Sequence, residues 1–141
     1  MGSSSKSSGS DIAVILAALH GSRDERFLRV FDDRILSTAF QLSRAFRKIY
    51  RVSFIHDLGI AMGRYPEDMY DGYEVRLPGG NPWVLDTLAL GEFYYRVASD
   101  WARHGCVRVT ELNFSFLQSL AEAESRSSLL RLGQVIEKGD P

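Results

Sequence analysis

The chain has 141 residues, of which 45% are hydrophobic and 25% are charged, and its formal net charge is -1. These values are typical of one globular domain and exclude a largely disordered chain. Because the charge is nearly balanced and the longest apolar run, Ile12 to Leu19, is too short to span a bilayer, we expect neither nucleic acid nor a membrane as a partner. The single Cys106 cannot form an internal disulfide.

The first segment is rich in serine. Residues 1–10 include six serines, which predicts a flexible segment outside a domain of residues 11–141. It lacks the pattern of a signal peptide. The next segment, "DIAVILAAL", predicts a helix that Ser10 or Asp11 caps and His20-Gly21 ends. That helix is apolar all round, so we expect it to be buried on every side.

Two longer helices follow. The second begins at Asp32 or Asp33, and its apolar residues recur at spacings of three and four: Ile35, Leu36, Ala39, Phe40, Leu42, Phe46 and Ile49. The third is predicted from Asn81 as N-cap, through Pro82 in the first turn, to His104 before Gly105. Its predicted apolar face consists of Leu85, Leu88, Ala89, Val97, Ala98, Trp101 and Ala102.

The last part of the chain predicts two more helices. Thr110 or Asn113 caps the fourth, "LNFSFLQSLAEAE", and Ser127 or Ser128 caps the fifth, "LLRLGQVIEK". No segment alternates like a strand for more than four residues, and Val107 to Val109 is the nearest to doing so. The prediction is therefore an all-α fold with about five helices.

A loop of about thirty residues, Arg51 to Gly80, separates the second and third helices. Loops of this length inside a compact domain are uncommon and are usually functional. The loop and the residues after it carry groups that recognise sugars, because aromatic faces cover C–H surfaces while guanidinium and carboxylate groups bind vicinal hydroxyls. These groups are Arg64, Tyr65, Glu67, Asp68, Tyr70 and Trp83.

Two other interpretations of these residues stay open. Glu67 and Asp68 resemble an acid and base pair, but adjacent loop side chains suit that role badly, since such carboxyl groups flank the sugar. Arg64 with Asp68 also fits a structural ion pair, with Trp83 as an ordinary core residue. The three histidines share no metal-ligand spacing, and we expect neither a metal nor a cofactor.

"GRYPEDMYDGY", followed by "GNPWVLDTLALGEFYY", resembles the glucoamylases of glycoside hydrolase family 15. The resemblance implies a partial (α/α)6 barrel with about five of its twelve helices. It also implies a glucan 1,4-alpha-glucosidase that releases glucose from the non-reducing ends of starch- or glycogen-type α-glucans with inversion. Some fungal members have cysteine where this chain has Asp86.

By the same resemblance, Arg64 and Asp68 bind sugar hydroxyls, Tyr70 and Trp83 form the wall of a subsite, and Glu67 supports the loop. The family's general acid lies in a Trp-Glu-Glu segment and its general base in a Ser-x-x-Glu-Gln-Tyr segment. Neither segment occurs here, so we expect a catalytic-domain fragment with no catalytic residue of its own. The alternative is a non-catalytic helical module that binds glucan or a protein.

Overall fold

The computed structural model describes residues 6–21, 28–55, 59–73, 79–123 and 130–139. These residues form α1 (Ala13–Gly21), α2 (Asp33–Ile49), α3 (Val84–His104), α4 (Phe114–Ala123), a 3-10 turn at Arg51–Phe54, and the strands β1 (Cys106–Arg108) and β2 (Val135–Glu137). The predicted helical fold class is confirmed. None of the helices in the described ranges is long and apolar enough to cross a membrane.

α2 begins and packs as its sequence predicts. The side chain of Asp32, one of the two predicted starts, accepts a hydrogen bond from the Arg34 backbone N–H at 2.9 Å. This bond satisfies one of the amide groups that a helix N-terminus leaves open. The buried residues of the helix are Ile35, Leu36, Ala39, Leu42, Ser43 and Phe46.

α3 differs from its prediction at its start and in its buried face. Trp83 is the N-cap, and the Asn81 side chain instead donates a hydrogen bond to the Asp71 carbonyl oxygen. The predicted end at Gly105 is correct, since this glycine adopts the left-handed conformation that often terminates helices (φ 80°). Leu85 and Leu88 are exposed, because the buried face comprises Asp86, Ala89, Leu90, Phe93 and Val97.

The predicted fifth helix is wrong over residues 130–139. Val135–Glu137 pairs with Cys106–Arg108 as an antiparallel ladder, and Val107 lies opposite Ile136. Gly133, with φ 80°, turns the chain immediately before this strand. Ladder hydrogen bonds to β1 thus replace the intrahelical bonds that the sequence predicted. The predicted caps Ser127 and Ser128 lie outside the described residues.

The core lies where the helices meet. α1 packs against α2 and α3, and α4 packs against α2. Phe93 and Phe116 are fully buried and meet edge to face, with ring centroids 6.2 Å apart. The prediction that α1 is covered on every side is wrong, because Val14 and Ala17 are exposed. Residues 59–73 and 79–83 pass across the N-terminal ends of α1 and α3 and carry the candidate site.

Candidate functional site

Backbone hydrogen bonds fix the loop against the starts of two helices. The Ile12 N–H donates to the Arg64 carbonyl oxygen at 2.9 Å, and the Trp83 N–H donates to the Met62 carbonyl oxygen at 2.8 Å. The Met62 N–H in turn donates to the Thr87 hydroxyl at 3.0 Å. Loop and helix ends therefore satisfy one another, which gives the side chains between them fixed positions.

Tyr50, at the end of α2, supports the loop through a hydrogen bond and a close contact. Its hydroxyl donates to the Gly79 carbonyl oxygen at 2.6 Å, and a β-carbon at Gly63 would collide with that hydroxyl. Glycine at position 63 is thus required by close approach rather than by turn geometry. Burial, with the carboxylates of Asp68 and Asp86, raises the pKa of Tyr50 to about 12. The phenol remains a hydrogen-bond donor at neutral pH.

The centre of the site is a bidentate ion pair. Arg64 Nε and Nη2 lie 2.7 and 2.8 Å from the two carboxylate oxygens of Asp68, whose side chain is 2% exposed. The Tyr70 N–H also donates to Asp68 at 3.1 Å. Burial opposes ionisation of Asp68, but these hydrogen bonds outweigh it and hold its pKa below the usual value. Asp68 therefore stays a carboxylate that orients Arg64.

Three aromatic rings surround the guanidinium. Arg64 Cζ lies 5.7, 5.3 and 5.4 Å from the ring centroids of Tyr65, Tyr70 and Trp83, within the range of cation–π attraction. Tyr70 is 44% exposed and Trp83 is 36% exposed, so both rings reach the surface. The site therefore presents an oriented cation beside two partly exposed aromatic rings.

Glu67 binds the serine-rich segment. Its carboxylate accepts hydrogen bonds from the hydroxyls of Ser7 and Ser8, each at 3.0 Å, and from the Ser8 N–H. Burial opposes ionisation of Glu67, but these bonds outweigh it and lower its pKa. Lys6 lies 4.7 Å from the ring centroid of Tyr65. Glu67 thus joins residues 6–10 to the loop, a contact that no local sequence signal indicated.

Residues 1–138 match the family described as glycosyl hydrolases family 15. The chain belongs to glycoside hydrolase family 15. It is 36% identical over 124 residues to a glucoamylase of Blastobotrys adeninivorans, an alignment that covers 84% of this chain and 20% of that protein. It is 31% identical over 127 residues to glucoamylase 1 of Rhizopus oryzae, covering 89% of this chain and 21% of that protein.

Solved structures agree with this membership. The fold matches the glucoamylase from Saccharomycopsis fibuligera with a TM-score of 0.73 at 26% identity, covering 94% of this chain and 28% of that one. It also matches the Hormoconis resinae glucoamylase with a TM-score of 0.69 at 25% identity, covering 92% and 21% of the two chains. The helices of this family member are therefore part of an (α/α)6 barrel, and the chain spans 20–28% of the length of these relatives.

The structure brings most of the predicted residues together. Arg64, Asp68, Tyr70 and Trp83 form one cluster, whereas Glu67 faces residues 7 and 8. Within the described ranges, no group of histidine, cysteine, aspartate and glutamate side chains is arranged to hold a metal ion. No site role was predicted for Asp86, which is 3% exposed in the first turn of α3. A carboxylate on the buried face of a helix is a signal that could have found it, but the predicted apolar face did not include position 86.

Proposed function

We propose that this chain is part of a glucan 1,4-alpha-glucosidase and supplies one wall of its glucose-binding site. In this proposal the intact enzyme acts on the non-reducing ends of starch- or glycogen-type α-glucans and inverts the anomeric carbon. Its general acid and general base, which are expected in sequence segments that these 141 residues do not contain, perform the bond cleavage. The role of this chain is to bind and orient the sugar.

One observation carries the proposal: Asp68 holds Arg64 in a fixed orientation beside two partly exposed aromatic rings. Asp68 engages Nε and one Nη of Arg64, while the arginine side chain remains 38% exposed. A guanidinium has five N–H donors and the pair with Asp68 uses two of them, so the remaining donors are available to a ligand. Because the ion pair fixes its plane, little side-chain entropy is lost when that edge binds two vicinal hydroxyls.

The other residues then have distinct roles. Tyr70 and Trp83, with ring centroids 6.4 Å apart, cover the C–H surface of a glucose unit. Asp68 is buried and acts through Arg64, and Glu67 supports the loop through its contacts with Ser7 and Ser8. The sequence left open that Arg64 and Asp68 form a structural ion pair. In this proposal the same ion pair also orients Arg64 for binding sugar.

Calorimetric titration of the full chain with maltotriose tests this role. Arg64→Ala removes charge-assisted hydrogen bonds worth roughly 1.5–3 kcal/mol, so we expect the association constant to fall about 10- to 100-fold. Arg34→Ala is the matched control, because Arg34 also pairs with an aspartate but its side chain is 76% exposed. Its effect is expected to stay within about 0.5 kcal/mol. Equal losses in the two variants would refute a binding role for Arg64.

The predicted absence of catalytic residues is tested separately. The purified chain is expected to release no glucose from maltose or soluble starch, because loss of a general acid or base typically costs about 10²–10⁴ in rate for each group. Glucose assays with the chain and with Glu67→Gln provide the measurement. Release of glucose that this substitution abolishes would assign catalysis to the loop and contradict the proposal.

The alternative of a non-catalytic module rests on a different surface. Val84, Leu88 and Tyr95 are exposed along one side of α3, with 76%, 66% and 82% of their surfaces accessible. Such a row of apolar side chains is the kind of surface that binds another protein. Maltotriose binding that is unaffected by Arg64→Ala, or absent, would favour this module over the glucosidase proposal.

A further inference from the structure

Asp86 is an unusual buried acid. Its side chain is 3% exposed, and within the described ranges its Oδ2 is the buried side-chain oxygen that lacks any hydrogen-bond partner. Burial of an unpaired carboxylate is costly, and an acid in such a place reduces the cost by holding a proton. Asp86 lies three residues after Trp83, which is the N-cap of α3, and belongs to the first turn of that helix.

Four titratable or charged groups act on Asp86 from the surrounding elements. Arg64 and Asp68 belong to the loop, Asp11 precedes α1, and Tyr50 ends α2. Burial raises the pKa of Asp86, Arg64 lowers it, and the carboxylates of Asp11 and Asp68 raise it further. Like Arg64, the N-terminus of α3 favours the carboxylate form of Asp86 and so acts to lower its pKa. Burial and the two neighbouring acids outweigh Arg64, so the pKa of Asp86 lies above its ordinary value.

We propose that Asp86 is a positioning residue that acts on Arg64, the residue to which the proposed function gives glucan binding. As a neutral acid, Asp86 leaves the guanidinium to its bidentate pair with Asp68. As a carboxylate, it is a second anion whose charge acts on the same guanidinium, in competition with Asp68. The proton on Asp86 therefore sets how firmly Arg64 is held in the orientation that binds sugar.

The sign of the pH dependence follows from linkage. An acid whose pKa is raised by folding adds stability that is fully present below its unfolded pKa and is lost as pH rises through the folded pKa. Binding that needs the neutral acid follows the same direction. We therefore expect the site to hold Arg64 and to bind glucan better at acidic than at neutral pH.

Nuclear magnetic resonance of the full chain between about pH 3 and about pH 8 tests the inference. The Asp86 carboxyl ¹³C and the Arg64 Nε–Hε resonances are expected to titrate with one shared midpoint. In Asp86→Asn the movement of the Arg64 resonance is expected to disappear. In Glu92→Gln, which changes an exposed acid of the same helix, it is expected to persist. An Arg64 titration that Asp86→Asn leaves unchanged would overturn the proposal.

Titration midpoints in the unaltered chain and the pH dependence of maltotriose binding test the inference independently. If Asp86→Asn does not fold, separate midpoints for Asp86 and Arg64 in the unaltered chain would overturn the proposal by themselves. Maltotriose is expected to bind roughly three- to tenfold more tightly at the acidic end, which corresponds to a pKa change of about half to one unit on binding. This ratio is expected to fall to one in Asp86→Asn, and an undiminished ratio would contradict the inference. Absence of maltotriose binding at every pH would refute the proposed function, while the resonances of Arg64 would still decide the role of Asp86.

Discussion

Two ion pairs with the same spacing lie in different parts of this molecule. Arg64 and Asp68 in the loop, and Glu92 and Arg96 on α3, are each four residues apart, with N–O distances of 2.7 and 2.6 Å. Both side chains of the helix pair are exposed, at 48% and 41%, whereas Asp68 in the loop is 2% exposed. Spacing and charge alone therefore do not distinguish an ordinary surface pair from the centre of a binding site.

Backbone contacts make the difference. In the loop, the Tyr70 N–H donates to Asp68, and Gly80 packs so closely that a β-carbon would lie 3.2 Å from the Asp68 Cγ. These contacts remove water from the carboxylate and strengthen its attraction to Arg64. Water around the helix pair weakens the attraction between Glu92 and Arg96. This explanation can be tested by pairs of matched substitutions, one in the loop and one in α3.

The largest expected difference is between the stability losses caused by neutralising Asp68 in the loop and Glu92 on α3. Asp68→Asn is expected to lower the free energy of unfolding by about 3 kcal/mol, the lower end of the cost of breaking a buried pair, because Arg64 retains access to water. Glu92→Gln is expected to cost about 0.5 kcal/mol or less, as for other exposed helix pairs. Urea titrations provide the measurement. Similar losses would show that burial does not set the difference.

Glycine substitutions in the two regions are expected to change stability in opposite directions. At Gly80, with φ 60°, a β-carbon would lie 2.7 Å from the Tyr70 carbonyl oxygen, so Gly80→Ala is expected to cost about 1–3 kcal/mol. At Gly91, inside α3, a β-carbon meets nothing within 4 Å. Gly91→Ala is therefore expected to stabilise the chain by about 0.4–1 kcal/mol. Thermal denaturation of both variants measures these stability changes. Stabilisation by Gly80→Ala would contradict the described loop packing.

The smallest expected difference concerns two tyrosine hydroxyls. Tyr50→Phe removes the hydrogen bond to the Gly79 carbonyl oxygen and is expected to cost about 1–1.5 kcal/mol. Tyr95 is 82% exposed on α3, and Tyr95→Phe is expected to stay within about 0.5 kcal/mol. Urea midpoints distinguish the two. If Tyr50→Phe left the free energy of unfolding unchanged, the loop would not depend on support from α2.

Local signals predicted the parts of the fold that local interactions determine. Asp32 and Gly105 mark helix ends because capping needs only neighbouring residues. The residue types around Arg64 indicated sugar chemistry because guanidinium, carboxylate and aromatic groups recur within one short segment. The family match covers this segment, and its role in binding sugar stays a prediction.

Features that depend on distant pairing were missed. The strand Val135–Glu137 forms only because Cys106–Arg108 lies beside it, and the contact of Ser8 with Glu67 joins residues far apart in the chain. The burial of Asp86 depends on how α3 is rotated against α1, which places Phe93 inside and Leu88 outside. Apolar periodicity alone did not determine that rotation, because apolar residues occur on both sides of the helix.

The central claim is that the guanidinium and the two exposed rings form a sugar-binding wall. Intermolecular nuclear Overhauser effects between maltotriose and the full chain test it most directly. We expect cross-peaks from sugar C–H protons to the rings of Tyr70 and Trp83, and we expect Arg64→Ala to abolish them. Cross-peaks confined to other exposed aromatic residues, such as Tyr95, would contradict the claim.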